Sequence, residues 1–166
     1  MGLAALIVYV TLGRRRIDYR FVLLGAVLPD AVDAVLGIFI FTGPTGRWIA
    51  HSLLAVIVVT VTIVVIFRGE RRLAVFGLGV GWLLHLVGDG MWNAPKTFLW
   101  PAFGTDFASR PREPYSIDLF VHPLDHLWTW AGEITGLLIL VWFWVAFRLG
   151  QNGRARTFLR DGYLRP

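Results

Sequence analysis

Four long stretches of the chain are almost wholly apolar: Phe21–Thr42, Ile49–Phe67, Leu73–Trp92 and Trp130–Leu149. Each approaches the roughly 20 residues that a helix needs to cross a bilayer. A fifth stretch, Gly2–Leu12, is equally apolar but about half a span long, and predicts a short or partial helix. The pattern predicts an all-α, polytopic transmembrane helix bundle of four full spans plus a short N-terminal hydrophobic helix, a single domain over residues 1–150. The connection over about 93–128 carries Pro95, Pro101, Pro111, Pro114 and Pro123, which disfavours regular helix through most of it. Structured loops of that length often serve as lids or binding loops. Within it, Phe98-Leu99-Trp100-Pro101 is apolar enough to dip back to the membrane surface.

Composition strengthens this picture. Hydrophobic residues make up 56% of the 166 and charged residues 16%, with a mean hydropathy of +0.63. Soluble domains average roughly 45–50% apolar and about 25% charged, so lipid is expected to cover the surplus apolar surface. The net charge of +5 and the pI near 10.4 would suggest nucleic acid in a soluble chain. Here the basic residues sit in clusters between apolar stretches, as membrane-flanking charges do, and no nucleic-acid partner is expected. Cysteine is absent, which excludes thiolate metal sites, disulfides and cysteine nucleophiles. The N-terminus lacks the basic n-region and cleavage site of a secretory signal.

The arginines set an orientation. Twelve of the sixteen basic residues (Arg14, Arg15, Arg16, Arg20, Arg68, Arg71, Arg72, Arg148, Arg154, Arg156, Arg160 and Arg165) fall on one side if the spans alternate. By the positive-inside rule that side is cytoplasmic. The expected location is the cell membrane, multi-pass, with basic loops and C-terminus cytoplasmic and lipid as partner. Residues 151–166 form a basic tail expected to rest on anionic lipid. Trp48, Trp92, Trp100, Trp128 and Trp130 lie near the predicted outer ends, where indoles favour the interface.

Against this background the polar residues inside the spans stand out, since an aspartate at mid-span costs about 2.5 kcal/mol or more. Asp30 and Asp33 are three residues apart and share a helix face. Pro29 kinks or restarts the helix and leaves Asp30 near a new N-terminus, where a carboxylate is favoured. A capping aspartate with a structural partner also fits. His85 and Asp89 stack at i,i+4, about 5–6 Å apart at Cβ, so one helix could offer two ligands to one ion or form a plain His–Asp hydrogen bond. His51 opens the second span, with Arg47 one turn before it, able to pair with a carboxylate or grip a phosphate. His122, Asp125 and His126 precede the last span, and Glu133 lies about one turn inside it. In the alternating topology Asp33, His51, His85, Asp89, His126 and Glu133 fall in the outer half of the membrane, with Asp30 near its midplane. Carboxylates and imidazoles without sulfur suit Zn²⁺, Mn²⁺ or Fe²⁺.

Three blocks carry a family resemblance: Leu24-Gly25-Ala26-Val27-Leu28-Pro29-Asp30, then Arg47 to His51-Ser52-Leu53-Leu54, then Gly81-Trp82-Leu83-Leu84-His85-Leu86-Val87-Gly88-Asp89, running on to Leu99-Trp100-Pro101. Over residues 20–105 the chain resembles the membrane-bound, metal-dependent hydrolases of the YdjM type, a family described as distantly similar to zinc-dependent phospholipases C. The resemblance implies Asp30, His51, His85 and Asp89 as ligands of a divalent metal, zinc first, and a lipid or other phosphoester as substrate. Two positions depart from the family pattern. The second acid comes one residue late, at Asp33, and the N-terminal helix lacks the usual histidine, so that either a ligand is missing, the chain starts late, or His122 or His126 substitutes. The expected function is a metal-dependent hydrolase served from the outer leaflet, with Asp33 included among the ligands. Asp33 or Glu133 is the general-base candidate and Arg47 the phosphate grip. An ion or proton transporter, or a non-catalytic protein with a vestigial site, are the rival readings of the same residues.

Overall fold

A computed structural model describes residues 1–13, 17–39, 47–107 and 127–164. Among the described residues every regular element is helical. They are α1 (Gly2–Leu12), α2 (Tyr19–Gly25), α3 (Leu28–Phe39), a 3-10 turn (Ile49–His51), α4 (Leu53–Ile66), α5 (Gly69–Gly88), a second 3-10 turn (Met91–Asn93), α6 (Pro95–Phe98), α7 (Leu127–Ala146) and α8 (Arg154–Asp161). The chain is thus all-α, as its hydropathy pattern predicts.

The four uninterrupted spans do not appear: among the described residues no helix is long and apolar enough to cross a membrane. The causes are local. The first apolar stretch is divided between α2 and α3, because Pro29 has no N–H for the carbonyl one turn earlier. In the second, Ile49–His51 forms a 3-10 turn, and the Ser52 hydroxyl then caps a fresh helix by accepting from Ala55 N–H at 3.1 Å. The resulting α4 has 14 residues, about 21 Å of helix against a hydrocarbon core of about 30 Å. The third helix starts early, at Gly69, and takes Glu70, Arg71 and Arg72 into its first turn. The fourth, α7, carries Glu133.

Helices α2 and α5 pack so closely that glycine is required on both. A Cβ on Gly25 of α2 would strike the Leu78 carbonyl, and one on Gly81 of α5 would strike the Val22 carbonyl. This close approach sets the start of α3, directly after α2, beside the end of α5. Two cores flank the contact. Ala4, Ala5, Val8, Tyr19, Val22, Phe143 and Phe147 form one, and Ala50, Val56, Trp82, Leu86 and Met91 form the other. In the first, Tyr19 is 1% exposed, and burial pushes its hydroxyl up to about 12. The group stays a neutral donor to the Gly13 carbonyl, at 3.0 Å.

The basic tail folds back onto the beginning of α2. Asp18 is buried and pairs with Arg20 at 2.5 Å. The same guanidinium donates to the carbonyls of Leu159 and Arg160 at 2.8 Å each, near the C-terminus of α8. It thereby satisfies carbonyls that the helix end leaves without partners.

Candidate metal centre

The 3-10 turn carrying His51 is fixed from two sides. From α5, Trp82 Nε1–H donates to the Ala50 carbonyl at 2.8 Å. From α3, the Asp33 carboxylate accepts from Trp48 N–H at 2.5 Å, from Ala50 N–H at 2.9 Å and from His51 Nδ1 at 2.6 Å. Asp33 and His51 are both 0% exposed, so each hydrogen bond works without competition from water.

The i,i+3 spacing of α3 then places one carboxylate at each nitrogen of the His51 ring. Asp33 meets Nδ1, and Asp30 Oδ1 lies 3.3 Å from Nε2. From the last turn of α5, His85 Nε2 completes a triangle, 3.3 Å from His51 Nε2 and 3.5 Å from Asp30 Oδ1. These three donor atoms are the group capable of holding a metal ion among the described residues. Their separations match the edge of a tetrahedron whose ligands lie about 2.0–2.1 Å from a zinc-sized ion, which is about 3.3–3.4 Å. Two imidazoles and a carboxylate also suit that class of ion chemically. Asp30 is the open side of the group, with 66% of its side chain exposed.

Asp89, one turn beyond His85, stands at the edge. Its Oδ2 lies 3.7 Å from His51 Nε2 and forms an ion pair with Arg47 at 2.5 Å. Asp33, for which the sequence left both a ligand and a base role open, sits behind His51 with its oxygens engaged by three donors. Glu133 is exposed on α7, a helix whose main packing partner is α1, and it is not part of the group. His122 and His126 lie outside the described residues.

Trp82 is the contributor that hydropathy hid, since an indole inside an apolar helix reads as packing. Its position was a usable signal: Trp82, His85, Leu86 and Asp89 follow the i, i+3, i+4, i+7 rhythm of one helix face. Trp82→Phe removes the donor to a carbonyl on Ala50, itself 2% exposed. The variant is expected to lose about 1–3 kcal/mol of stability in a denaturant titration.

A family model described as YdjM inner membrane protein matches residues 1–155. No curated protein and no solved structure matches the chain.

Proposed function

From the premise that this chain belongs to the YdjM inner membrane protein family, we propose that it is a membrane-embedded, metal-dependent hydrolase of a lipid-like phosphoester. The observation that carries the reading is the Asp30–His51–His85 triangle, with sides of 3.3, 3.3 and 3.5 Å. Three side chains would hold a metal ion, and a set of three protein ligands rather than four is the mark of catalytic zinc centres. A divalent ion held there supplies Lewis acidity towards water and towards an ester oxygen.

The remaining chemistry falls to the chain itself. Asp89 is the general base, since its carboxylate borders the triangle without belonging to it and would take a proton from a water beside it. Arg47 steadies Asp89 at the edge of the triangle. The same guanidinium is placed to pair with a substrate phosphate oxygen. Asp33 and Glu133 have no part as bases in this scheme.

Membrane residence is supported by apolar surface. On α4, Ile57, Val58, Val61, Val65 and Ile66 are at least half exposed. On α7, Ile134, Leu137, Leu138, Val141 and Val145 are likewise exposed. Soluble monomers rarely leave so many large apolar side chains open to water. The arginine distribution supports a cytoplasmic side for the basic loops and tail, and an outward-facing centre supplied from the outer leaflet.

The test uses detergent-purified protein loaded with Zn²⁺ or Mn²⁺ and a panel of phospholipids of different headgroup. Turnover of at least one lipid is expected, and Asp89→Asn should lower it by about 10²–10⁴-fold at unchanged metal content. A metal-loaded protein that hydrolyses none of the panel counts against the hydrolase. Metal or proton flux through the same protein in liposomes would favour transport.

A further inference from the structure

We infer that Asp33 is the positioning residue of the centre: it fixes His51 as the Nδ1–H tautomer and so commits Nε2 to the ion. The inference rests on the metal centre proposed above. Each ring nitrogen of His51 faces a carboxylate, so the ring could in principle present either one to a metal. The surroundings break the symmetry. The Asp33 carboxylate takes two backbone N–H groups, from Trp48 and Ala50, one on each oxygen. Each Asp33 oxygen is therefore already an acceptor of a backbone N–H. A ring nitrogen 2.6 Å from an oxygen that already acts as an acceptor must donate a proton to it, since two lone pairs would otherwise meet. Nδ1 is therefore the protonated nitrogen, and Nε2 keeps its lone pair towards Asp30 Oδ1 and His85 Nε2.

The same three hydrogen bonds fix the plane of the ring. Trp48 and Ala50 belong to the turn that carries His51, so Asp33 holds that turn and the imidazole as one piece. It is the arrangement in which a carboxylate behind a ligating histidine orients the ring and raises its basicity. Asn at position 33 cannot reproduce it. One acceptor oxygen would have to serve three donors, and the amide would turn an N–H either towards Ala50 N–H or towards Trp48 N–H and Nδ1 together. In the latter case the proton moves to Nε2, the position the ion requires.

The experiment has two readouts. Nitrogen-15 spectra of the imidazoles in metal-free, detergent-solubilised protein report the tautomer directly, with His51→Ala identifying the His51 signal. Zn²⁺ titration reports affinity. For the native chain an Nδ1–H tautomer is expected. For Asp33→Asn the tautomer should shift towards Nε2–H, with Zn²⁺ affinity about 10–100-fold weaker. An Nε2–H tautomer in the native chain overturns the inference, and so does an Asp33→Asn protein with native tautomer and affinity. Should Asp33→Asn fail to fold, the native spectrum alone decides. An Nδ1–H native chain that binds neither Zn²⁺ nor Mn²⁺ would sink the metal centre and leave the tautomer assignment standing.

Discussion

His51→Ala should empty the centre and also loosen the fold around it. Metal analysis of the purified native protein is expected to find about one ion per chain, and of the variant close to none, because His51 Nε2 forms two sides of the ligand triangle. The stability loss has a separate origin. Asp33 is wholly buried and gives up one of its three donors when the imidazole goes. Leaving a buried acceptor short of one of its donors typically costs about 1–3 kcal/mol. His85→Ala separates the two effects. His85 is 11% exposed at its side chain, and its polar contacts among the described residues are with Asp30 and His51. It should lose the ion as completely but melt close to the metal-free native protein. If His85→Ala retains its ion, the triangle is not the binding site. If His51→Ala melts like the native chain, Asp33 is not the anchor of the 3-10 turn.

Much of this centre was legible in the chain, and the reason is helix geometry. Asp30 and Asp33 at i,i+3, and His85 and Asp89 at i,i+4, can face one way only if their segments are helical, and both segments are. Acidic and imidazole groups in apolar runs must also find partners, which makes them candidates from the sequence alone. The division of labour among the acids was not legible. Asp33 differs from Asp30 through two backbone N–H groups of a 3-10 turn, and backbone donors leave no trace in side-chain identity. Nor did the sequence reveal that Asp89 would meet Arg47, since the residues of that pair lie on separate elements.

The fold was legible in class and not in element length. Hydropathy counts apolar residues without asking whether a helix persists through them. Pro29 could be read as a kink. The 3-10 turn before Ser52 could not, because Ile49-Ala50-His51 carries no breaking residue and is held by Trp82 and Asp33 from elsewhere in the chain. Tertiary contacts there override local preference. Glycines were the other silent feature. Gly25 and Gly81 looked like two more small residues in apolar helices, yet they set the distance between α2 and α5.

Gly81 and Gly88 on the same helix should therefore respond to alanine with opposite signs. At Gly81 the added Cβ would meet the Val22 carbonyl oxygen, with Val22 C at 2.9 Å and Ala26 N at 3.0 Å. All three are backbone atoms of or next to α2, so no side chain can rotate away, and the helices must part. Overpacking of this kind typically costs about 1–3 kcal/mol, and the upper end is expected where only backbone can yield. The displacement reaches the centre, because Gly81 lies one turn before His85 and Val22 lies two turns before Asp30, across Pro29. Gly81→Ala should thus weaken Zn²⁺ binding as well as lower the melting temperature. At Gly88 a Cβ meets nothing within 4 Å, and alanine is a better helix former than glycine by about 0.8–1.0 kcal/mol. Gly88→Ala should hold the melting point or raise it, with metal affinity unchanged, although it is closer in sequence to Asp89 than Gly81 is. Thermal melts and Zn²⁺ titrations of the two variants in one detergent make the comparison. Equal destabilisation by both would mean that α5 tolerates no alanine near its end, for a reason other than its contact with α2. Native behaviour from Gly81→Ala would mean that the α2–α5 approach does not set the distance between Asp30 and His85.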